Sequence, residues 1–259
     1  MAETLADAIG AIAVEVGAMV HGRWRGDYER WEKSPGNPVC EVDIAADRLL
    51  HQRLTALDPE AGWLSEETVD NDDRLARPRL WVVDPIDGTR DFLRGRDGWA
   101  VSIALIEHGR PVIGFLDAPA RGQHWRAEAG KGATLNGVPV TVSGRMALPG
   151  SRVPADTLPK VDADLVPVAR PNSIALRMAM VAAGEADLLA TLRWGAEWDI
   201  AAAALIVAEA GGTVTDAHGE PLIFNSLTGD MFGVLATTPG IHAAAVARLS
   251  ERARAASVR

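Results

Sequence analysis

The chain of 259 residues contains one cysteine, Cys40. No internal disulfide can form, so the sequence reads as that of a cytoplasmic protein, with Cys40 a small packed side chain. Basic residues are in deficit, 26 Lys and Arg against 35 Asp and Glu, for a formal charge of -9. An acidic protein has no bulk electrostatic attraction for a nucleic-acid polymer or an anionic membrane, and its charge points instead to a small ligand or a metal ion. No uninterrupted apolar run reaches the ~20 residues that span a bilayer. The first residues carry no basic leader, and there is no internal repeat or low-complexity tract. The six histidines form no paired ligand motif, and none is assigned a role.

What is present is a globular composition. A hydrophobic content of 47% suffices for a sizeable core, expected here as one domain over residues 1–259 with two closely packed sub-lobes, about 1–150 and 151–259. The Pro- and Gly-bearing sequence from Met146 to Pro171 marks the boundary. Leu5, Ile9, Ile12, Val16 and Met19 recur at helical spacing and predict an amphipathic core helix. The polar stretch from Trp24 to Glu41 is broken by Pro35, Gly36 and Pro38 and predicts an exposed loop or short hairpin, placed to act as a lid. A second helix is expected over Val42 to Leu57, ended by Asp58-Pro59. Strand-like runs follow from Trp99 to Ser143 as an antiparallel meander, with Asn136-Gly137 a hairpin turn. Later come a helix from Ser173, a strand over Ala186–Leu192 and a helix from Asp199 closed by Gly211-Gly212. Strands are then expected over Thr213–Phe224 and Phe232–Thr238, and a final helix from Gly240.

Chemistry concentrates in Leu80–Gly95, LWVVDPIDGTRDFLRG. Leu80–Val83 is an apolar run of the buried-strand type, which places Asp84 where the strand leaves the sheet. Asp87 follows three residues on, around Pro85, with Gly88 free to take a conformation that other residues resist. Two carboxylates held this close repel, and a shared divalent cation would relieve both. Gly88 and Thr89, if they open a short helix, would offer backbone N–H groups to an anion. The competing reading is an Asp-Pro turn whose acids cap the following residues. Two more acidic stations bear on the choice. Glu66 and Glu67 follow Ser65, where the alternative is an N-cap serine with glutamates in a first helical turn. Asp199 begins an apolar segment, where the alternative is again a simple N-terminal Asp. Three acidic stations at the edges of buried elements fit a shared site for a hard cation such as Mg²⁺, which takes one or two carboxylates together with phosphate oxygens.

These stretches, SEET, WVVDPIDGTRDF and EWDIAAAALIVAEAGG, resemble in order and spacing the signatures of the inositol monophosphatase family of Mg²⁺-dependent, lithium-sensitive phosphomonoesterases. The resemblance runs from the first helix to the strand at Phe232 and implies a layered α-β-α-β-α sandwich and a homodimer acting on a small-molecule phosphate ester. It also implies that Glu66, Asp84, Asp87, Asp199 and the carbonyl of Ile86 hold two or three Mg²⁺ ions. Glu66 and Thr89 would orient the attacking water, Asp43 would support Thr89, and Asp87, Gly88, Thr89 and Asp199 would contact the substrate. Cys40 stands where the family usually has a hydroxyl residue. Neutralising Asp87 is expected to stop turnover and leave the fold intact or steadier.

Enzymes of the family that act on inositol phosphates carry a Glu shortly before the last of these aspartates and a TNF-like continuation of the first motif. This chain has Leu192 or Arg193 at the former place and Thr89-Arg90-Asp91-Phe92 at the latter, which is more similar to the 3'(2'),5'-bisphosphate nucleotidases. The expected reaction is conversion of 3'-phosphoadenosine 5'-phosphate to AMP and phosphate, with inositol-1-monophosphatase or histidinol-phosphatase activity as alternatives. Arg170, Arg177 and Arg193 are candidates for a second phosphate, each weighed against an ordinary surface arginine. A pseudo-phosphatase that binds a phosphorylated metabolite without hydrolysing it is the non-enzymatic alternative.

Overall fold

Helix α1 (Leu5–Arg23) buries Ile9, Ile12, Val16 and Val20 and leaves the opposite face to solvent, as its 3.6-residue period requires. The computed structural model that shows this describes residues 4–258. Thr4 caps the helix reciprocally: its hydroxyl accepts from the Asp7 N–H, and the Asp7 carboxylate accepts from the Thr4 N–H. By length and hydropathy alone α1 is apolar enough to cross a bilayer, but its apolar face is packed inside the protein. The polar stretch that follows is the short hairpin β1 (Arg30–Ser34) and β2 (Asn37–Cys40). Helix α2 (Glu41–Leu57) lies against α1 and buries Val42, Ala46, Leu50 and Leu54, while Leu57 at its end is exposed.

The main sheet is built from β3 (Gly62–Ser65), β4 (Arg79–Asp87), β5 (Ala100–Glu107), β6 (Arg110–Ala118), β7 (Gln123–Glu128), β8 (Gly132–Leu135) and β9 (Val138–Pro139), in that spatial order. Between β4 and β5 runs the short helix α3 (Thr89–Leu93). Only β3 and β4 are parallel, and β4 to β9 form the expected antiparallel meander. The β8–β9 turn uses Asn136 and Gly137 at φ +52° and +77°, the left-handed pair that a two-residue hairpin needs. The continuous apolar run at Leu80–Val83 has a simple cause: both faces of the sheet are covered. Trp81 and Val83 face α1 and α2, and Leu80 and Val82 face the other side.

After the main sheet the chain forms a parallel ribbon of β10 (Arg152–Pro154) and β11 (Val166–Val168), then α4 (Ile174–Ala182), β12 (Leu188–Ala196), α5 (Ala201–Glu209), β13 (Thr213–Thr215), β14 (Asp230–Thr237) and α6 (Pro239–Ser257). Helices α4 and α5 lie side by side on the second face of the main sheet. The antiparallel sheet β12–β14–β13 covers them, and α6 packs outside it. The layers are therefore α1/α2, main sheet, α4/α5, small sheet and α6, an α-β-α-β-α sandwich. One buried cluster joins Leu64, Leu80 and Trp125 of the first half to Met178, Ile206 and Val234 of the second.

Two expectations are corrected. Thr213–Phe224 is a strand only as far as Thr215, because the Asp216 carboxylate accepts from the N–H groups of His218 and Glu220 and Gly219 takes φ +90°, which turns the chain out of the sheet. Asp84 does not end β4. It still faces Ser102 of β5, after which the pairing breaks and resumes at Asp87 opposite Ala100. The Pro85 interruption is thus a bulge inside the strand.

Candidate active site

The bulge in β4 turns two acids out of the ladder with different partners. Asp84 is buried and its Oδ1 accepts from the Ile86 N–H at 2.9 Å. Asp87 reaches across to the start of α4, where it accepts from Ser173 Oγ at 2.5 Å, Ala175 N at 2.8 Å and Ile174 N at 3.3 Å. Gly88 follows at φ +96°, and a Cβ there would stand 2.6 Å from the Gly98 carbonyl oxygen and 2.9 Å from the Ser173 nitrogen, so only glycine fits. Thr89 opens α3, and its hydroxyl lies 3.0 Å from the Ile86 carbonyl and 3.3 Å from Asp43 Oδ1.

Asp43 sits in the first turn of α2 and accepts from Cys40 N at 2.8 Å and Cys40 Sγ at 2.9 Å on its second oxygen. Cys40 is thus a donor as well as a packed side chain, its thiol donating more weakly than a hydroxyl would. Burial pushes its thiol up to about 12. Glu66 and Glu67 leave β3 in an irregular turn, so the first-turn alternative for them does not hold. Each carboxylate receives Lys33 Nζ of the β1–β2 hairpin at 2.8 Å. Asp199 ends a 3₁₀ turn, Glu197–Asp199, in front of α5. That turn is anchored by the fully buried Glu197, whose carboxylate accepts from the Asn225 and Ser226 N–H groups at 2.7 and 2.8 Å.

One cavity of about 240 Å³ gathers the predicted residues Glu66, Asp84, Asp87, Gly88, Thr89 and Asp199. Ile86 and Asp43 lie behind this wall, buried, at 1% exposure each. The carboxylates raise one another. Asp84 is held well above the usual range by burial and then by Glu66, Asp87 and Asp199. Burial lifts Asp87 to about 6 against the hydrogen bonds from Ser173 and Ala175, and burial with Asp87 and Glu66 lifts Asp199 to about 8. Burial also lifts Asp43 to about 6 and Glu67 to about 7. Such a crowd of oxygen donors is stable in its ionised form only beside added positive charge. Among the described residues, no three His, Cys, Asp or Glu side chains already converge as a finished coordination shell. Carboxylate oxygens of this kind suit a hard cation that takes one or two carboxylates and completes its shell with water and phosphate, as Mg²⁺ does.

The lining is also basic. Arg90, Arg170, Arg177 and Arg193 line the same cavity. Arg177 is not a surface arginine: it is 7% exposed, donates to the Ser173 and Asn172 carbonyls at 3.2 and 3.1 Å, and is lowered to about 10 by burial, with Asp87 opposing that shift. Arg170 is exposed and paired with Asp156 at 2.8 Å, Arg90 donates to the Gly36 carbonyl, and Arg193 is exposed on β12. Lys33, Arg90 and Glu197 enter this site through tertiary contacts that no local spacing announces.

The family model described as "Inositol monophosphatase family" matches residues 1–255. The chain is 34% identical over 216 residues, 80% of its length and 82% of the relative's, to a fructose-1,6-bisphosphatase/inositol-1-monophosphatase of Thermotoga maritima. It is also 34% identical over 205 residues, 73% of its length and 80% of the relative's, to the 3'(2'),5'-bisphosphate nucleotidase CysQ of Escherichia coli. The solved structure of an IMPase from Thermotoga maritima superposes with a TM-score of 0.84 at 29% identity, covering 97% of this chain and 98% of that one.

Proposed function

The chain belongs to the inositol monophosphatase family, and on that premise we propose that this phosphoric monoester hydrolase is Mg²⁺-dependent and acts on a bisphosphate nucleotide of the 3'-phosphoadenosine 5'-phosphate type. The observation that carries the substrate reading is the basic lining. A single ester phosphate held by cations needs no arginine, whereas Arg90, Arg170, Arg177 and Arg193 beside the acids supply charge for a second anionic group. At Arg193, which lines the cavity, the chain also has no carboxylate to accept the hydroxyls of an inositol ring.

In this reading Glu66, Asp84, Asp87, Asp199 and the Ile86 carbonyl hold two or three Mg²⁺. Mg²⁺ held there would supply charge neutralisation at the ester phosphate and a water of lowered pKa. The chain's own groups do the rest. Glu66 is the base that receives the proton of the attacking water, a role that requires release of the Lys33 ammonium now resting on it. Thr89 orients the same water, with its hydroxyl held by Asp43 and the Ile86 carbonyl. Asp87 and Asp199 would hold the ions as carboxylates, so bound Mg²⁺ would favour their ionised forms.

The test is kcat/KM at one Mg²⁺ concentration for 3'-phosphoadenosine 5'-phosphate, inositol 1-phosphate and histidinol phosphate. The first is expected to lead. Arg193→Gln, at an exposed position, is expected to weaken the bisphosphate by a charge-assisted hydrogen bond, on the order of 1.5–3 kcal/mol, and to spare inositol 1-phosphate. A clear preference for inositol 1-phosphate would overturn the nucleotide reading and leave the hydrolase standing.

A further inference from the structure

Helix α2 contributes two buried acids to one face, Asp43 and, one turn later, Asp47. The first supports Thr89. The second forms no salt bridge among the described residues: Asp47 is 6% exposed, and its two oxygens accept from Ser65 Oγ at 2.5 Å and Thr68 Oγ1 at 2.6 Å. Those two hydroxyls bracket Glu66 and Glu67, in a turn with no helical or sheet hydrogen bonds of its own, where the main local bond is the long 3.4 Å contact from the Glu67 N–H to Ser65 Oγ. Strand β3 ends at Ser65, one residue before Glu66.

We infer that Asp47 is a positioning residue for Glu66: by holding Ser65 and Thr68 at the two ends of the turn, it sets where the Glu66 carboxylate stands relative to Thr89. Asp43 and Asp47 are one helical turn apart on a rigid element, so α2 keeps both water-orienting groups in register. A carboxylate is suited to this task because it accepts two hydroxyls at once, one on each oxygen, whereas an amide in its place accepts one and turns a donor toward the other. Outer partners of this kind commonly change metal affinity or activity about 10–100-fold when removed. The inference rests on the reading of Glu66 as a metal ligand and base.

The test compares Asp47→Asn, the double variant Ser65→Ala/Thr68→Val, and Leu54→Ala, a cavity on the same helix and away from the turn. Three readings are made on each: Mg²⁺ binding to the metal-free protein by calorimetry, kcat and KM separately, and Tm. Asp47→Asn and the double variant are expected to weaken Mg²⁺ binding about tenfold or more and to lower kcat with little change in KM. Leu54→Ala is expected to lose stability with Mg²⁺ affinity and kcat unchanged. Wild-type Mg²⁺ affinity and kcat in both Asp47→Asn and the double variant would overturn the inference. If Asp47→Asn fails to fold, the double variant decides alone. Absence of Mg²⁺ binding in the unmutated protein is a different result, because it strikes the metal-dependent reading itself.

Discussion

Asp84 and Asp87 are three residues apart, yet their environments separate their expected behaviour. Asp84 meets one backbone N–H and otherwise the repulsion of Glu66, Asp87 and Asp199. Replacing it with Asn keeps the shape and removes a buried charge, so the metal-free Asp84→Asn protein is expected to melt higher, by roughly 2–4 °C per kcal/mol of repulsion relieved, with Mg²⁺-dependent turnover abolished. A lower Tm with turnover retained would contradict both halves. Asp87 was expected from the sequence to behave the same way, but it ties α4 to the bulge through three donors. An amide there turns its own N–H toward Ser173 or Ala175, leaving a buried donor unmatched at about 1–3 kcal/mol, so Asp87→Asn is expected to lose stability along with activity. The acids were legible because carboxylates bunched at element edges are chemically conspicuous. Their partners were not, since Ser173 and Lys33 are ordinary residues until the fold brings them within reach.

At the scale of elements, periodicity was informative wherever one face is buried and the other is not. Helix α1, α2, the meander and the Asn136-Gly137 hairpin all follow from spacing and turn chemistry. It failed at Thr213–Phe224, where an apolar-looking run is turned by a single Asp side chain, and at Asp84, where a proline interrupts the pairing without ending the strand. Both errors are local hydrogen-bonding choices that a hydrophobic pattern does not record. The turn at Gly88 is the element on which the others converge, since it is held between β5 and α4 by contacts closer than any side chain allows. Gly88→Ala would force a Cβ into the Gly98 carbonyl at a positive φ. The expected cost is on the order of 1–3 kcal/mol with displacement of Thr89. Thermal unfolding would show the loss, and kcat is expected to fall further than for a distant core variant of equal stability, such as Leu54→Ala. Equal kcat in the two variants would mean that the turn serves only the fold.

Over the whole molecule, the acidic cluster makes stability depend on pH in a direction opposite to that of most carboxylates. Burial raises Asp87 to about 6, and burial together with neighbouring carboxylates raises Glu67 to about 7 and Asp199 to about 8, above the ~4 of an unfolded chain. The folded state therefore binds more protons than the unfolded one between about pH 4 and pH 8, so in this window the metal-free protein loses stability as pH rises. Asp187 works the other way. Burial tends to raise it, but hydrogen bonds from Arg152 and Ser143 outweigh that and lower it to about 2, so its contribution is present at neutral pH and is lost on acidification below about 4. The metal-free protein is thus expected to be most stable at mildly acid pH. Cations invert the upper limb, because they bind the deprotonated acids and compete with protons for the same oxygens. Added Mg²⁺ stabilises by RT ln(1 + [L]/Kd), about 2.7 kcal/mol at a hundredfold excess over Kd, and Kd itself falls as the acids ionise. Melting curves with and without Mg²⁺ are therefore expected to lie close together at pH 5 and to separate steadily up to pH 8.5. Two parallel curves across that range would show that the cluster does not exchange protons for metal.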